Sequence, residues 1–297
     1  MSVPSVGIII PCFNQSRFAE ECVRSVEAQT YGTWRAVLID DASTEPDSAS
    51  LDRLASDRLS VVHLPRNRGR ALVRNEGVRL LGDVDYVLNV DCDDMLTPRY
   101  VELLVAALER DPRAGIAYGT LRYFGLPHAT GAASWPPHEL VFERRFVGNV
   151  VPGGGAMIRT AALRQTAGWR AAFSSYGSED HDLWLQVVER GWQALWVREA
   201  EYRYRQHEES FLARGNEWHQ VMAALMLLRF HRRGIRETEG LEAYLARQIM
   251  PALFGAIRAG KPREAARIAL PLLRSAPFVA IRLAFRYYRG RLRRRGA

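Results

Sequence analysis

Residues 6–41 read VGIIIPCFNQSRFAEECVRSVEAQTYGTWRAVLIDD. The apolar runs over 6–10 and 34–39 are each short enough for a buried strand, and the segment 20–29 between them has the spacing of a helix. A strand, a helix and a second strand in this order predict a βαβ unit with parallel strands. The second run leads directly into Asp40 and Asp41, so two acidic side chains follow the end of a strand.

The alternation of strands and helices continues through the first two hundred residues. Further strands are predicted over 60–63, 86–90, 115–118, 194–197 and 201–204, and helices over 70–81, 98–110, 159–167 and 179–190. This order predicts an α/β fold with a mixed, mainly parallel sheet flanked by helices.

Two segments depart from the alternation. Residues 125–151 are rich in Pro, Gly and aromatic residues and are expected to form a long loop or a hairpin. From residue 217 onward only helical patterns remain. We therefore divide the chain into an α/β domain over 1–215 and a helical, basic C-terminal extension over 216–297.

Charge is distributed unevenly along the chain. The 297 residues carry a net charge of +8, from 41 Lys plus Arg and 33 Asp plus Glu. Residues 261–297 contain eleven basic residues and one acidic residue, so this segment carries +10 and the rest of the chain −2. Binding to nucleic acid needs a basic face on the folded domain itself, and we therefore expect no nucleic-acid partner.

The basic segment has a helical period with two faces. Ile281, Phe285 and Tyr288 can line one face, while Arg282 and Arg286 lie on another. A basic amphipathic helix is typical of contact with an anionic membrane surface, where each Arg contributes on the order of 1 kcal/mol. The alternative is a pair of helices that pack on the α/β domain and end in a frayed arginine-rich tail.

The cysteines and the hydropathy pattern indicate a cellular location. Cys12, Cys22 and Cys92 are odd in number and lack metal-ligand spacing, which favours a reducing compartment over a disulfide framework. No basic segment and apolar core mark a signal peptide at the N-terminus, and no apolar run approaches the roughly 18 to 20 residues of a membrane span. We expect a cytoplasmic protein, with peripheral contact with the inner face of the membrane as an option.

Acidic residues cluster where predicted strands end. In an open α/β sheet, ligands bind at the carboxyl ends of the strands, and Asp91, Asp93 and Asp94 follow the strand over 86–90. The glycine-rich loops that bind phosphates in dinucleotide and P-loop sites are missing after the first strand. Asp91 and Asp93 point the same way in an extended segment, so they can share a hard divalent cation. A solvated acidic turn that caps the next helix is the alternative.

Several motifs together resemble one enzyme family. They are, in order, VGIIIPCFN over 6–14, QT over 29–30, VLIDDAST over 37–44, NRG over 67–69 with RNEG over 74–77, DCDD over 91–94 with Pro98, GW over 168–169 and EDHDL over 179–183. This ordered set resembles the inverting family 2 glycosyltransferases. The resemblance covers roughly residues 5–210 and leaves the C-terminal extension unexplained.

The resemblance implies that residues 1–215 form a GT-A catalytic domain, a Rossmann-like fold that binds a nucleotide sugar. Asp41 would accept a hydrogen bond from the base of the nucleotide, which is a strong contact for a carboxylate. Asp40 would contact the nucleotide or tie down the turn after the strand. Pro11 and Asn14 would shape the wall of the base pocket, and Arg74 would approach the nucleotide or brace the acidic cluster.

The resemblance also implies a divalent cation, Mn²⁺ or Mg²⁺, that neutralises the leaving diphosphate. Asp91 would contact the ribose or the sugar and could share the metal with Asp93. Asp94 would be either a metal ligand or a brace behind the ligands. His207, just past the last predicted strand, would reach the diphosphate or the metal, or would be a surface or packing residue.

Asp180 is the candidate general base, which would take the proton of the acceptor hydroxyl as that hydroxyl attacks the anomeric carbon. Direct displacement would invert this carbon. The neighbouring Glu179 would raise the pKa of one member of the pair, whereas a helix N-terminus would lower the pKa of both. The alternative is that both residues are favourable first-turn acids of a helix.

Two further features could touch the substrate. The glycines over 153–155 either let the backbone approach a sugar or form a flexible loop. Trp135 and Trp169 are candidates for stacking on a sugar ring, whereas helical spacing with Leu183 and Val187 places Trp184 in the core.

The functional hypothesis is transfer of a sugar, with UDP-sugars as favoured donors, to a hydroxyl of a glycan or a lipid-linked acceptor. A nucleotidyltransferase would also use an acidic metal site but usually carries an N-terminal Gly-rich loop, which is missing here. From a different class, the alternative is a catalytically silent GT-A-like scaffold that uses its basic tail on a membrane or on nucleic acid.

Overall fold

The computed structural model describes residues 3–126, 151–207, 217–238 and 240–295. Its eight strands are β1 Val6–Cys12, β2 Trp34–Asp40, β3 Leu59–His63, β4 Tyr86–Asn89, β5 Met95–Leu96, β6 Ala114–Phe124, β7 Met157–Arg159 and β8 Gln193–Arg205. They form one sheet in the order β3-β2-β1-β4-β7-β6-β8-β5. The mixed, mainly parallel sheet predicted from the sequence is confirmed.

Parallel pairing brings the chemically important strand ends to one edge. β1 pairs in parallel with β2 from Val6 opposite Trp34 to Cys12 opposite Asp40, and it pairs in parallel with β4 on its other side. The segments that follow these three strands therefore leave the sheet at the same edge. β7 is antiparallel to both β4 and β6, and it separates this half from the parallel pair β6 and β8.

Helices cover both faces of the sheet. In the α/β domain these are α1 Ser16–Glu27, α2 Arg70–Leu81, α3 Tyr100–Arg110, α4 Thr160–Leu163 and α5 Glu179–Val188, with 3₁₀ turns over Pro46–Leu54 and Ala171–Tyr176. Ile8 and Ile10 pack into the core on the α1 and α3 side, and Ile9 packs into the core on the α2 and α5 side. Burial on both faces explains why β1 is continuously apolar.

Five helices follow the sheet: α6 Glu217–Thr238, α7 Leu241–Gln248, α8 Met250–Arg258, α9 Pro262–Ser275 and α10 Pro277–Arg295. They share a hydrophobic cluster with Phe173 and with Leu185 of α5. The C-terminal helices therefore pack on the α/β domain, as one of the two sequence alternatives proposed. The predicted boundary at 215 falls in residues 208–216, which lie outside the described residues.

Several element boundaries differ from the sequence prediction. The segments over 194–197 and 201–204 belong to the single strand β8, whose pairing with β6 shifts register between Gly119 and Thr120. The first helix begins at Ser16 instead of residue 20, and α4 is one turn long instead of extending to 167. The predicted loop over 125–151 lies mostly outside the described residues. In the described part of the chain, no helix combines the length and the apolar character needed to cross a bilayer.

Candidate active site

A cavity of about 630 Å³ opens at the carboxyl ends of β1, β2 and β4. Five of the predicted site residues line it: Pro11, Asn14, Asp41, Asp91 and Asp93. Six others lie outside its lining: Asp40, Arg74, Asp94, Glu179, Asp180 and His207. The fold therefore divides the predicted set into residues that line the cavity and residues that lie around them.

The wall of the cavity next to Pro11 is a tight, hydrogen-bonded turn. Asn14 has a φ of 54°, in the left-handed region that Asn tolerates better than most residues. Its backbone N–H donates to Ser43 Oγ at 2.9 Å, and its Oδ1 accepts from the N–H of Thr44 at 2.8 Å. Asn14 thus joins the segment after β1 to the segment after β2 and fixes the shape of this wall.

Asp40 and Asp41 have different roles although they are adjacent. Asp40 is buried behind the cavity wall, where it accepts from the N–H of Ser43 at 2.9 Å and lies 2.8 Å from Nδ1 of His63. Burial by itself would raise the pKa of Asp40, but the hydrogen bonds of Ser43 and His63 outweigh it and lower the pKa. These contacts tie Asp40 to the turn after β2, and its side chain does not line the cavity.

Asp41 faces the cavity and also organises the loop before α2. Its Oδ1 accepts from the N–H of Arg68 at 2.7 Å and its Oδ2 from the N–H of Gly69 at 2.8 Å. Burial raises the pKa of Asp41, and these two hydrogen bonds partly offset the rise. Each carboxylate oxygen has a second lone pair, so Asp41 can hold the loop and still accept a hydrogen bond from a ligand.

Arg74 is a buried hub that joins two acidic groups from distant parts of the sequence. Its side chain is 1% exposed; Nη1 donates to Asp180 at 2.8 Å and to Glu179 at 3.0 Å, and Nη2 donates to Asp91 at 3.0 Å. Burial by itself would lower the pKa of Arg74, but the carboxylates of Asp180, Asp91 and Glu179 outweigh it and raise the pKa. Arg74 therefore contacts the acidic residues and does not line the cavity, an arrangement that fits a brace for the acidic cluster.

Asp180 lies in the first turn of α5, against Trp169 and the backbone of Gly153. Its Oδ1 accepts from Trp169 Nε1 at 2.8 Å, and its side chain remains 11% exposed. Burial raises the pKa of Asp180 to about 6; the charge of Arg74 opposes this rise, and the charges of Glu179 and Asp91 add to it. The effects that raise the pKa of Asp180 therefore outweigh those that lower it, and burial is the largest of them.

Asp94 is the buried one of the three aspartates in the loop after β4. Asp94 is 1% exposed, and its two oxygens accept from the N–H of Arg205 and from the hydroxyl of Tyr202, both at 2.8 Å. Burial, with repulsion from Asp93 and Asp91, raises the pKa of Asp94 well above its ordinary value. Both Asp94 oxygens therefore contact β8 behind the loop, outside the cavity lining, an arrangement that fits the predicted brace.

Asp93 and His207 meet beside the cavity. The Nε2 atom of His207 lies 3.0 Å from Asp93 Oδ2, which also accepts from Gln15 Nε2 at 3.0 Å. Burial and repulsion from Asp91 raise the pKa of Asp93. Two carboxylates that repel each other on one cavity wall suit a hard divalent cation, which would relieve the repulsion.

The described residues do not form a complete metal site on their own. Within ranges 3–126, 151–207, 217–238 and 240–295, no three His, Cys, Asp or Glu side chains are grouped as a metal-binding cluster. Mg²⁺ and similar ions are commonly held by one or two carboxylates together with substrate phosphates. A cation held by Asp91 and Asp93 would therefore need oxygen ligands from a bound substrate.

Some residues of the site were missed or misassigned from the sequence. Trp169, predicted to stack on a sugar, is 2% exposed and holds Asp180 instead; Trp184 is in the core, as its spacing indicated, and Trp135 lies outside the described residues. Tyr202 and Gln15 were not recognised, although alternation in β8 places Tyr202 and Tyr204 on one face. The glycines over 153–155 are packed closely, since a Cβ on Gly154 would lie 3.0 Å from Asp91 Oδ2.

The profile of the family described as Glycosyl transferase family 2 matches residues 7–166, more than half of the chain. The chain belongs to this family. The match contains the turn at Asn14, the Asp41 loop, Arg74 and the loop with Asp91 and Asp93. Asp180 and His207 lie beyond it.

Curated relatives agree with this assignment. EpsE of Bacillus subtilis (strain 168), whose name places it among glycosyltransferases, is 29% identical over 219 residues, which cover 72% of this chain and 77% of EpsE. An N-acetylglucosaminyltransferase of Rhizobium leguminosarum bv. viciae is 34% identical over 130 residues, covering 40% of this chain and 29% of that protein. The family 2 chain therefore spans most of EpsE but less than a third of the second relative.

Solved structures share the GT-A-like fold. S. aureus TarS 1-349 in complex with UDP-GlcNAc superposes with a TM-score of 0.62 at 14% identity, covering 89% of this chain and 90% of that one. The mannosyltransferase PcManGT from Pyrobaculum calidifontis, in complex with GDP-Man and Mn²⁺, gives a TM-score of 0.59 at 20% identity, covering 96% of this chain and 84% of that one. At these identities the likeness concerns the fold.

Proposed function

We propose that this family 2 glycosyltransferase moves a sugar from a nucleotide-sugar donor, with UDP-sugars favoured, to a hydroxyl of a glycan or lipid-linked acceptor, with inversion. The proposal includes a divalent cation, Mn²⁺ or Mg²⁺, and Asp180 as general base. A cytoplasmic location is supported by Cys12, Cys22 and Cys92, which are all free and buried.

One observation carries the proposal: Arg74 bonds to Asp91 and Asp180 at once, with distances of 3.0 and 2.8 Å. Asp91 lines the cavity, and Asp180 opens α5. Through this shared arginine, the proposed donor end of the site and the proposed base are held in fixed relation. Positioning two reacting groups in this way lowers the entropic part of the barrier.

The nucleotide part of the donor would enter the cavity between Pro11, Asn14 and Asp41. Asp41 offers remaining acceptor capacity to a ring N–H, and Asn14 holds the wall that the base would contact. UDP is favoured because TarS was solved with UDP and UDP-GlcNAc, although PcManGT was solved with GDP-Man. Asp40 would brace the turn after β2, and Asp94 would brace the loop after β4.

Asp91 and Asp93 would hold the cation, with His207 orienting Asp93 through their 3.0 Å contact. When bound, the cation would neutralise negative charge on the leaving diphosphate. Asp91 would remain fixed by Arg74 Nη2, and Asp93 by Gln15 and His207.

Asp180 would accept the proton of the acceptor hydroxyl, whose oxygen then attacks the anomeric carbon from the side opposite the diphosphate. A pKa of about 6 leaves most Asp180 carboxylates ionised at pH 7 while keeping them more basic than an ordinary aspartate. Glu179, which also binds Arg74 and lies 3.3 Å from Arg70 Nε, would maintain this pKa through its charge. One bond to the leaving group breaks as one forms, so the carbon is inverted.

The acceptor class is argued from the relatives alone. An N-acetylglucosaminyltransferase of Mesorhizobium japonicum is 31% identical over 218 residues, and an O-antigen biosynthesis protein of Myxococcus xanthus is 26% identical over 223 residues. These names support an acceptor in the synthesis of cell-envelope glycans.

The test is a melting-temperature screen with UDP, GDP and dTDP, each with and without Mn²⁺ or Mg²⁺, followed by donor hydrolysis with matching sugars. We expect stabilisation by one diphosphate that depends on the cation, its loss in Asp93→Asn, and loss of transfer but not of stabilisation in Asp180→Asn. Asp57→Asn, an exposed aspartate away from the cavity, is the matched control. No stabilisation by any nucleotide would favour the silent scaffold, and full transfer by Asp180→Asn would refute the assignment of the base.

A further inference from the structure

Exposed apolar side chains concentrate in the C-terminal helices. Eleven large apolar residues are exposed in the part of the chain that the structure describes, and six of them lie between residues 257 and 285. Soluble proteins rarely expose large groups of apolar residues unless the surface binds a protein, a membrane or a ligand. This segment overlaps residues 261–297, which carry the +10 excess.

The first turns of α10 have an inner and an outer face. Ala280 is 5% exposed and belongs to the cluster that packs the C-terminal helices together, with Leu283 packed against it. Phe278, Ile281 and Phe285, at positions i, i+3 and i+7, are 87%, 59% and 63% exposed. The inner face packs α10 into this cluster, while each of the three outer side chains remains more than half exposed.

Cationic side chains border this outer face. Arg282 and Arg286 both pair with Glu242 of α7, the first at 2.5 Å, and one carboxylate cannot neutralise two guanidinium groups. Arg274, near the end of α9, is exposed as well. An apolar strip bordered by arginines is the pattern of a helix that lies in the plane of a membrane interface.

We propose that the outer face of α10, formed by Phe278, Ile281 and Phe285, docks on an anionic phospholipid bilayer. The three apolar side chains would enter the boundary between headgroups and acyl chains, and the exposed Arg274, Arg282 and Arg286 would contact lipid phosphates. Charge decides between occupants, because a second copy of the chain would bring two +10 segments together. Nucleic acid would satisfy the arginines but would leave the apolar strip in water.

Docking of this face goes beyond the proposed transferase reaction and does not depend on it, because vesicle binding requires neither donor nor acceptor. If docking holds, it would place the protein at the surface where a lipid-linked acceptor resides. Failure of vesicle binding would leave the donor and base assignments intact.

The experiment is co-sedimentation of the full-length protein with vesicles of phosphatidylcholine, with and without phosphatidylglycerol. We expect binding to the anionic vesicles that weakens with salt, and a loss of at least about tenfold in the partition coefficient for F278S/I281S/F285S. The matched control is V3S/L80S/L126S, which removes three exposed apolar side chains elsewhere and should bind like wild type. Melting temperatures of both variants report whether the fold is kept.

Equal partition of the two triple variants, with both folded, would overturn the proposal. The proposal would also be overturned if the wild-type protein did not bind anionic vesicles but formed a dimer in size-exclusion chromatography or bound an RNA oligonucleotide. A variant that unfolds would be replaced by the single substitution Phe278→Ser, at the most exposed of the three positions, for which at least a threefold loss of partition is expected.

Discussion

Arg74 Nη1 lies 2.8 Å from Oδ1 and 2.9 Å from Oδ2 of Asp180, so one guanidinium nitrogen contacts both oxygens of the proposed base. The two residues are 106 positions apart in the sequence. The same nitrogen donates to Glu179, and the other terminal nitrogen donates to Asp91. A single buried cation therefore compensates three carboxylates that would otherwise repel one another.

Replacing Arg74 by Gln should lower the free energy of unfolding by about 3–5 kcal/mol, because buried carboxylates lose their counter-charge. Urea denaturation measures the change. Arg79→Gln is the control: Arg79 also pairs with a carboxylate, that of Glu76, but its side chain is 68% exposed, and we expect a much smaller change than for Arg74→Gln. Similar losses in the two variants would contradict the role of Arg74 as hub.

Transfer activity should decline as pH falls through about 6, the pKa to which burial raises Asp180. Below this pH the carboxyl is protonated and cannot accept the proton of the acceptor hydroxyl. The measurement is kcat/KM for transfer between pH 5 and 8, with donor binding followed separately. Unchanged transfer at pH 5, with the donor still bound, would exclude Asp180 as the base.

Gly153→Ala should abolish transfer while the protein remains folded. A Cβ at this position would collide with Asp180 Oδ2 and lie 3.0 Å from Asp180 Cγ, so the carboxylate would have to move away from Arg74 and Trp169. Moving a reacting group away from its productive position lowers the reaction rate. Gly32→Ala has nothing within 4 Å of the new Cβ and serves as control. Transfer rates equal to those of the control would mean that the position of Asp180 is not critical.

His231 should make stability depend on pH near neutrality. Burial would lower the pKa of this residue, but hydrogen bonds to Asp182 at 2.8 Å and Glu189 at 3.0 Å outweigh it and raise the pKa. A raised pKa in the folded state means that the stabilisation is complete below the unfolded value of about 6.5 and is lost as pH rises through the folded value.

The expected outcome is a decrease in the free energy of unfolding above about pH 6.5 that is absent in His231→Gln. Urea denaturation at a series of pH values measures it. Because His231 joins α6 to α5, the same experiment reports on the attachment of the C-terminal helices. An identical pH dependence in the variant would assign the effect to another group.

Much of the fold was predictable from the sequence because it depends on local patterns. The short continuous apolar runs at Val6 and Trp34 and the helical spacing over 70–81 are patterns that each segment carries by itself. The positions of Asp41, Asp91 and Asp93 at strand ends followed directly from the predicted strands. The prediction differed in some element ends, as at Ser16, in the two segments that form the single strand β8, and in the short strands β5 and β7, which it did not contain.

Only the tertiary structure shows which of the predicted site residues line the cavity and which lie behind it. Asp40 and Asp41, like Asp93 and Asp94, are adjacent and chemically identical, and the direction of each side chain decides which one faces the cavity. Arg74 finds its partners in Asp91, 17 residues away, and Asp180, 106 residues away, and no local period encodes contacts over such separations. The sequence by itself determined the sheet and the acidic residues at its edge. The contacts of α2 with α5 and with the β4 loop decided which of these residues line the cavity and which lie behind it, because burial and hydrogen bonding act between segments that only the fold brings together.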